Sequence, residues 1–166
     1  ALYLPQLARA QGKIVLGFSQ IGAESEWRTA NSESIKSAAK EAGIELKFSD
    51  AQQKQENQIK AIRSFIAQKV DVIAFAPVVT TGWDTVLKEA KAAKIPVILI
   101  DSAASDAGKN YYQSFLATDN QKAGELCAQA LIDKIGKEGK IAIMSYTAGS
   151  GSEIGRVGGF KKYIES

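Results

Sequence analysis

The chain alternates apolar runs with amphipathic stretches, and a polar segment follows each of the first four apolar runs directly. The runs are residues 14–19, 44–49, 72–76 and 97–100, and the polar segments are 20–28, 50–53, 77–83 and 101–105. Strands that are apolar on both faces and separated by helices predict an α/β fold, a parallel sheet covered by helices on both faces. Ligands of such sheets bind outside the carboxyl ends of the strands, so the polar segments mark the predicted site.

The helical period defines the remaining elements. Apolar residues at i, i+3, i+4 and i+7 predict that the first helix buries Ile35, Ala38, Ala39 and Ala42. The third helix is predicted to begin near Thr81 or Gly82. After a fifth strand at 111–117, a helix capped by Thr118 or Asp119 is predicted to run to Gly136, followed by a sixth strand at 140–145, a glycine-serine turn at 149–152 and a last helix.

Composition excludes several classes of function. Among 166 residues the net charge is only +3, and Lys and Arg are scattered among Asp and Glu, so no nucleic-acid surface is predicted. The chain has no histidine and a single cysteine. Ser-His-Asp and Cys-His catalysis and most zinc sites are therefore excluded, and no metal site is predicted. Cys127 shares a helical face with apolar neighbours and is predicted to be a buried, inert residue.

Residues 1–10 follow neither a strand nor a helix period. They end in Ala8-Arg9-Ala10 followed by Gln11, a pattern typical of the cleavage region of a secretory signal peptide. We therefore expect residues 1–12 to be a signal-peptide remnant or a tail, and the protein to be periplasmic or otherwise exported to the cell envelope. A cloning remnant or a short capping helix is the alternative.

The first polar segment offers a candidate ligand site at Glu24, Ser25, Trp27 and Arg28. The Trp27 indole could lie against the apolar C–H face of a sugar ring. The Arg28 guanidinium could donate paired hydrogen bonds to neighbouring hydroxyls. The alternative is a tryptophan in the core and an arginine in water.

Two further candidates follow later strands. Asp101 could accept hydrogen bonds from two adjacent hydroxyls, or it could cap its own loop by accepting from backbone N–H groups. Residues 147–156 (TAGSGSEIGR) resemble a dinucleotide fingerprint, but too little chain follows for the acidic residue that would bind the ribose. We therefore expect no cofactor, and Arg156 is the candidate for contacting a ligand.

Taken together, residues 17–28 (GFSQIGAESEWR), 50–59 (DAQQKQENQI) and 76–83 (APVVTTGW) resemble the bacterial periplasmic galactofuranose-binding proteins. These belong to the ribose/galactose-type substrate-binding proteins of ABC sugar importers. The resemblance implies two Rossmann-like lobes that enclose a monosaccharide and present the closed form to a membrane permease. Residues 13–117 would form the sugar-binding N-terminal lobe and 118–166 the beginning of the second lobe. Trp27, Arg28, Asp101 and Arg156 would then contact the sugar.

The chain departs from the resemblance in two respects. The family usually has an arginine directly after the aspartate, where this chain has Ser102, and a short hydroxyl cannot replace a guanidinium fork. The chain also corresponds to about half of a family member, so weak or absent sugar binding and either a homodimer or pairing with a complementary fragment are expected. Alternative functions are a sugar-sensing domain for a membrane receptor, or a flavodoxin-like or dehydrogenase-like enzyme.

Overall fold

The computed structural model describes residues 12–104 and 110–166. The predicted signal-peptide remnant, apart from Gly12, lies outside the described residues. The described part contains five strands and five helices, in the order β1 (Val15–Gln20), α1 (Glu26–Glu41), β2 (Glu45–Asp50), α2 (Gln55–Ala67), β3 (Val72–Phe75), α3 (Asp84–Ala92), β4 (Val97–Ile100), β5 (Ser114–Leu116), α4 (Asn120–Ile135) and α5 (Gly151–Ile164).

The strands form one parallel sheet in the order β2-β1-β3-β4-β5. The predicted α/β fold with a parallel sheet is therefore confirmed. Because all five strands run the same way, their carboxyl ends lie at one edge of the sheet. The chain direction across the sheet reverses between β1 and β3, and a crevice opens at such a reversal.

The main core lies between the sheet and helices α2 and α3. It includes Ile62 and Phe65 from α2, Leu87 from α3, and Phe75 and Leu99 from the strands. Trp83 is fully buried there, its ring centroid 5.0 Å from that of Phe75, and its indole N–H donates to the Val79 carbonyl. α3 begins at Asp84, later than predicted, because residues 77–83 form the loop that carries Trp83 into the core.

Helix α1 covers the other face of the sheet, and of its buried residues the apolar period predicted only Ala39. The buried residues are Arg28, Ser32 and Ala39, whereas Ala38 and Ala42 are exposed. The prediction was wrong for these two alanines because polar contacts at the carboxyl end of β1 set the orientation of the helix. Arg28 and Ser32 both take part in those contacts.

Helices α4 and α5 pack closely against each other through glycines. A Cβ on Gly124 would clash with the Arg156 carbonyl oxygen, and a Cβ on Gly159 would clash with that of Gln121. α4 has the predicted ends, with Asp119 as the N-cap and Gly136 as the C-cap. The predictions for the apolar residues nearby were wrong. Residues 140–145 form no strand and are exposed, and Cys127 on α4 is exposed rather than buried.

These two errors have one cause, because the described residues hold no sheet that could cover this face of α4 and α5. Segment 140–145 has no neighbouring strand with which to pair, and Cys127 has no layer above it. Among the described helices, none is both long and apolar enough to cross a bilayer.

Candidate functional site

A cavity of about 460 Å³ opens at the carboxyl edge of the sheet, beside the reversal between β1 and β3. Its volume falls within the range typical of small-molecule sites. Segments that follow β1, β2, β3 and β4 contribute to the wall, and so do the loop before α5 and the first residues of that helix. The lining residues are Ile21, Glu24, Ser25, Trp27, Arg28, Gln53, Val78, Asp101, Ser102, Thr118, Tyr146, Thr147, Ser150, Ser152 and Arg156.

The Arg28 guanidinium lies in the wall and is held by three acceptors. Nε donates to Glu24 Oε1 at 3.1 Å, Nη1 to Gln20 Oε1 at 3.3 Å and Nη2 to Asp101 Oδ2 at 2.8 Å. The Arg28 side chain is 9% exposed. The alternative of an arginine in water is therefore wrong, because its two carboxylate partners compensate the charge on burial.

Trp27, unlike an aromatic residue of the core, is largely exposed to solvent. It is 57% exposed at the mouth of the cavity, and Arg28 Cζ lies 4.9 Å from the ring centroid. A cation over an aromatic face is attracted by the ring quadrupole, which orients the indole without burying it. The core alternative for Trp27 is thus wrong, and an apolar ring surface faces the solvent.

Asp101 directly follows β4 and has an unusual backbone conformation. Its φ is +65°, and the Ser102 N–H donates to the Ile100 carbonyl at 2.7 Å, closing a three-residue turn of the rare, strained kind. This turn directs the carboxylate towards Arg28. The alternative of an aspartate capping its loop finds no support among the described residues, where Asp101 bonds to Arg28.

Glu24 and Ser25 line the cavity and also bond within the protein. Ser25 is the N-cap of α1, with its Oγ accepting from the Arg28 N–H at 3.2 Å. Glu24 forms an ion pair with Arg28 one helical turn away. Both residues therefore hold Arg28 in position.

Arg156 contributes to the cavity wall from α5. Its Nε donates to Asn120 Oδ1 at 3.1 Å and its Nη1 to the Tyr146 hydroxyl at 3.3 Å. The Thr80 N–H donates to the Gly149 carbonyl at 3.1 Å, which attaches the loop before α5 to the loop after β3. Arg156 is thereby brought to the same cavity as Arg28.

All six residues predicted as ligand-binding therefore line one cavity: Glu24, Ser25, Trp27, Arg28, Asp101 and Arg156. Sequence reasoning missed Gln53, Thr118, Tyr146, Thr147, Ser150 and Ser152. For Tyr146 and Thr147 a signal existed, because they directly follow the apolar run 140–145, and the rule about strand carboxyl ends indicates such positions. Gln53 belongs to the polar segment 50–53, which the same rule indicates, although the residue itself was not singled out; in the structure its φ is +61°.

The glycine pattern of residues 149–155 is explained by close packing. A Cβ on Gly151 would lie 3.1 Å from the Ala103 amide nitrogen, and one on Gly155 would lie 2.7 Å from Asn120 Cβ. These glycines let the start of α5 approach the β4 loop and α4. Within residues 12–104 and 110–166, no cluster of Cys, Asp or Glu is arranged to hold a metal ion.

Comparison with known proteins assigns a family to this arrangement. Residues 16–166 match the family model described as a periplasmic binding protein domain. The galactofuranose-binding protein YtfQ of Escherichia coli K12 is 46% identical over 92% of this chain and 48% of its own length.

Two solved structures are similarly close. The periplasmic binding protein component of the arabinose ABC transporter of Shewanella sp. ANA-3, bound to α- and β-L-arabinofuranose, is 50% identical with a TM-score of 0.87, over 91% of this chain and 50% of that one. A Mycobacterium smegmatis protein in complex with β-D-fucofuranose is 51% identical, also with a TM-score of 0.87, over 92% of this chain and 51% of that one.

The chain thus spans about half the length of these relatives. The family match covers nearly all of the described residues, and the fold agrees with those of the two solved relatives. The chain belongs to the periplasmic binding protein family.

Proposed function

We propose that the cavity binds a neutral monosaccharide in its furanose form, and that the protein serves as the substrate-binding component of an ABC sugar importer. One observation carries this proposal: an exposed indole, Trp27, lies beside a buried guanidinium that is already paired with a carboxylate. A sugar ring needs both surfaces, an apolar one for its C–H face and a polar one for its hydroxyls. The furanose form is favoured by the relatives that carry arabinofuranose and fucofuranose.

Hydrogen-bonding capacity supports the same ligand class. A guanidinium has five N–H donors, and residues 12–104 and 110–166 occupy three of those of Arg28, which leaves two for hydroxyl oxygens in that part of the chain. Oδ1 of Asp101 has no partner among the described residues and can accept from a hydroxyl. Among the described residues of the wall, the charged side chains of Glu24, Asp101, Arg28 and Arg156 sum to zero formal charge, which favours a neutral ligand over a sugar phosphate.

The two parts of the chain have distinct proposed roles. Residues 13–117 form the N-terminal sugar-binding lobe, and residues 118–166 begin the second lobe and supply Arg156 and Tyr146. Closure over the sugar would exclude water from the hydrogen bonds and present one conformation to a permease of the inner membrane, with the protein acting in the periplasm. Binding and release suffice for this role, so no enzymatic step is proposed.

Saturation-transfer NMR on this chain tests the proposal, because the method detects binding even when it is weak. The ligands are anhydroalditols derived from arabinose and galactose, whose rings cannot open. One series has the 1,4-anhydro, five-membered ring and the other has the 1,5-anhydro, six-membered ring. We expect transfer to the five-membered rings and little to the six-membered ones. Transfer to neither series, or only to the six-membered rings, would overturn the furanose proposal.

A tryptophan variant connects the binding to the site. In Trp27→Ala the transfer should disappear, because the variant removes the apolar surface for the ring; stacked aromatic contacts contribute about 1 kcal/mol beyond area burial. Phe115→Ala is the matched control, since Phe115 is an exposed aromatic residue of β5 that does not line the cavity. Equal loss of transfer in both variants would contradict a specific role for Trp27.

The apolar face of α4, α5 and segment 140–145 has a separate proposed partner, a second copy of this chain. Residues 140–145 make no backbone hydrogen bonds among the described residues, and Ile143 and Met144 are exposed. The segment begins at Lys140 and ends beside Glu153, which accepts from the Ser145 hydroxyl at 2.8 Å. An antiparallel copy would pair the backbones and place each Lys140 near the other copy's Glu153, so the charges match.

A further inference from the structure

We propose that Gln20, the last residue of β1, is a positioning residue that fixes the orientation of the Arg28 guanidinium for the ligand. The inference rests on the proposed sugar-binding function. It identifies Gln20 as the residue on which the geometry of Arg28 depends. Gln20 itself does not line the cavity, so it acts through Arg28.

The Gln20 side chain is fully buried and uses all of its hydrogen-bonding capacity. Oε1 accepts from the Ile21 N–H at 3.0 Å and from Arg28 Nη1 at 3.3 Å. Nε2 donates to Asn31 Oδ1 at 2.8 Å and to Ser32 Oγ at 3.1 Å. An amide has two donors and can accept twice, so each group has a partner here.

These partners allow only one orientation of the amide. The Ile21 N–H and the guanidinium are donors only, so both must face the amide oxygen. The Ser32 hydroxyl donates to the Arg28 carbonyl at 3.1 Å, so its oxygen is available to accept from the amide nitrogen. A flipped amide would direct its N–H groups at the Ile21 N–H and at Arg28 Nη1, and would lose both of those bonds.

Gln20 is also the neutral member of the three acceptors around Arg28. Glu24 and Asp101 balance the charge, and Asp101 also has an oxygen to offer a ligand. An amide holds Nη1 without adding a third negative charge, so the two unused N–H groups keep their attraction for hydroxyl oxygens. Without Gln20, the guanidinium would be held only through Nε and Nη2, by two partly exposed carboxylates. The contact between Gln20 and Nη1 is the third one, and it fixes the plane of the guanidinium.

A purely structural role, in which Gln20 only ties β1 to α1, makes a different prediction. Its loss would then lower stability and affect the site no more than another core substitution of similar cost. The distinguishing readout is therefore the order of the Arg28 guanidinium, which can be measured without any sugar.

The test compares Gln20→Met, of similar shape but without the amide, with Ile62→Val, a core substitution in α2 away from the cavity. Proton–nitrogen NMR of arginine side chains in the sugar-free chain reports on Arg28, whose Nη groups should rotate slowly. In Gln20→Met we expect the Nη groups of Arg28 to rotate faster, so that their separate signals merge into an average. Binding of the five-membered-ring sugar should weaken by about tenfold, in keeping with the loss of one charge-assisted hydrogen bond. Ile62→Val should change neither the Arg28 signals nor the affinity for the sugar.

The outcomes separate this inference from the function on which it rests. Unchanged Arg28 signals in Gln20→Met would overturn the positioning role even if the chain binds sugar. Absence of sugar binding in the unaltered chain would overturn the proposed function, and the NMR signals would still decide whether Gln20 orders Arg28. If Gln20→Met does not fold, Asn31→Ala withdraws one support of the amide, and averaged Arg28 signals there support the inference whereas unchanged signals overturn it.

Discussion

Asp101 combines a strained backbone with the shortest contact to Arg28. Non-glycine residues with positive φ are uncommon, and the strain they carry persists only where the surroundings enforce it. Here the Arg28 ion pair at 2.8 Å, the Leu116 carbonyl that accepts from the Asp101 N–H, and the Ser102 turn enforce it together. The position of the carboxylate therefore depends on α1, β5 and the turn after β4.

A pair of variants separates the strain from the charge. Asp101→Ala and Asp101→Gly both remove the carboxylate, but glycine adopts φ +65° without steric penalty. We expect Asp101→Gly to be the more stable of the two by about 1 kcal/mol in urea unfolding, despite the greater freedom of glycine in the unfolded chain. Equal stability, or a more stable alanine variant, would mean that this backbone is not strained.

At the scale of elements, the contact between α4 and α5 places Arg156. The two helices approach so closely that Gly124 of α4 lies against the backbone of Arg156 in α5. Arg156 in turn bonds to Asn120 in the first turn of α4. Helix packing and the cavity wall at Arg156 therefore rest on the same contact.

Gly124→Ala should push the helices apart, because its methyl group would overlap the Arg156 carbonyl. The expected loss of unfolding free energy is about 2 kcal/mol, typical of overpacking in a tight contact. Gly158→Ala is the control, since a methyl there meets no atom within 4 Å, and alanine favours a helix over glycine by about 1 kcal/mol. Chemical denaturation of both variants checks the prediction, which fails if Gly124→Ala is as stable as Gly158→Ala.

The link between α2 and α3 supplies a pH-dependent contact. Arg63 makes two hydrogen bonds of 2.8 Å to the Glu89 carboxylate, and the hydrogen bond from Arg63 lowers the pKa of Glu89 below its ordinary value. A carboxylate with a lowered folded pKa contributes stability above its unfolded pKa, and this stability is lost as the pH falls through the folded pKa. The effect is small, because both side chains face solvent.

Glu89→Gln should therefore be slightly less stable than the unaltered chain at neutral pH. The difference in melting temperature should shrink as the pH is lowered through the acidic range and should also shrink in high salt. Thermal melts across pH provide the measurement, with Glu33→Gln as a control from an exposed pair within α1. A difference that grows on acidification would contradict the assigned sign.

At the scale of the whole molecule, the sheet and the apolar face of α4 and α5 differ in how well they are covered. α2 and α3 bury one face of the sheet, and α1 covers part of the other. The face formed by Cys127, Leu131, Ile143, Met144 and Phe160 borders a second cavity, of about 650 Å³. Apolar patches of this kind mark interaction surfaces.

The proposed homodimer predicts a concentration-dependent mass in light scattering. Met144→Lys, at a residue 96% exposed, should shift the population to monomers, because it places a positive charge within the paired apolar segment. Leu116→Lys is the matched control, because Leu116 is an exposed apolar residue of β5, away from this face. A monomer at every concentration, with no difference among the variants, would exclude the second copy as partner.

Local rules were enough for much of the fold. Apolar runs determined the parallel sheet, because burial on both faces leaves a continuous apolar signal, and the capping residue and Gly136 marked the ends of α4. The rule about strand carboxyl ends then predicted that Trp27, Arg28 and Asp101 lie at one edge of the sheet. That rule works because parallel strands necessarily end together.

Only the tertiary structure decided how those residues meet. The positive φ of Asp101, the buried Gln20 behind Arg28 and the glycine contacts that place Arg156 arise between segments distant in sequence. The predicted strand at 140–145 and the burial of Cys127 failed for the same reason, because an apolar pattern is buried only where another layer covers it. Sequence specifies which surfaces are apolar, whereas the arrangement of the elements determines which of them are covered.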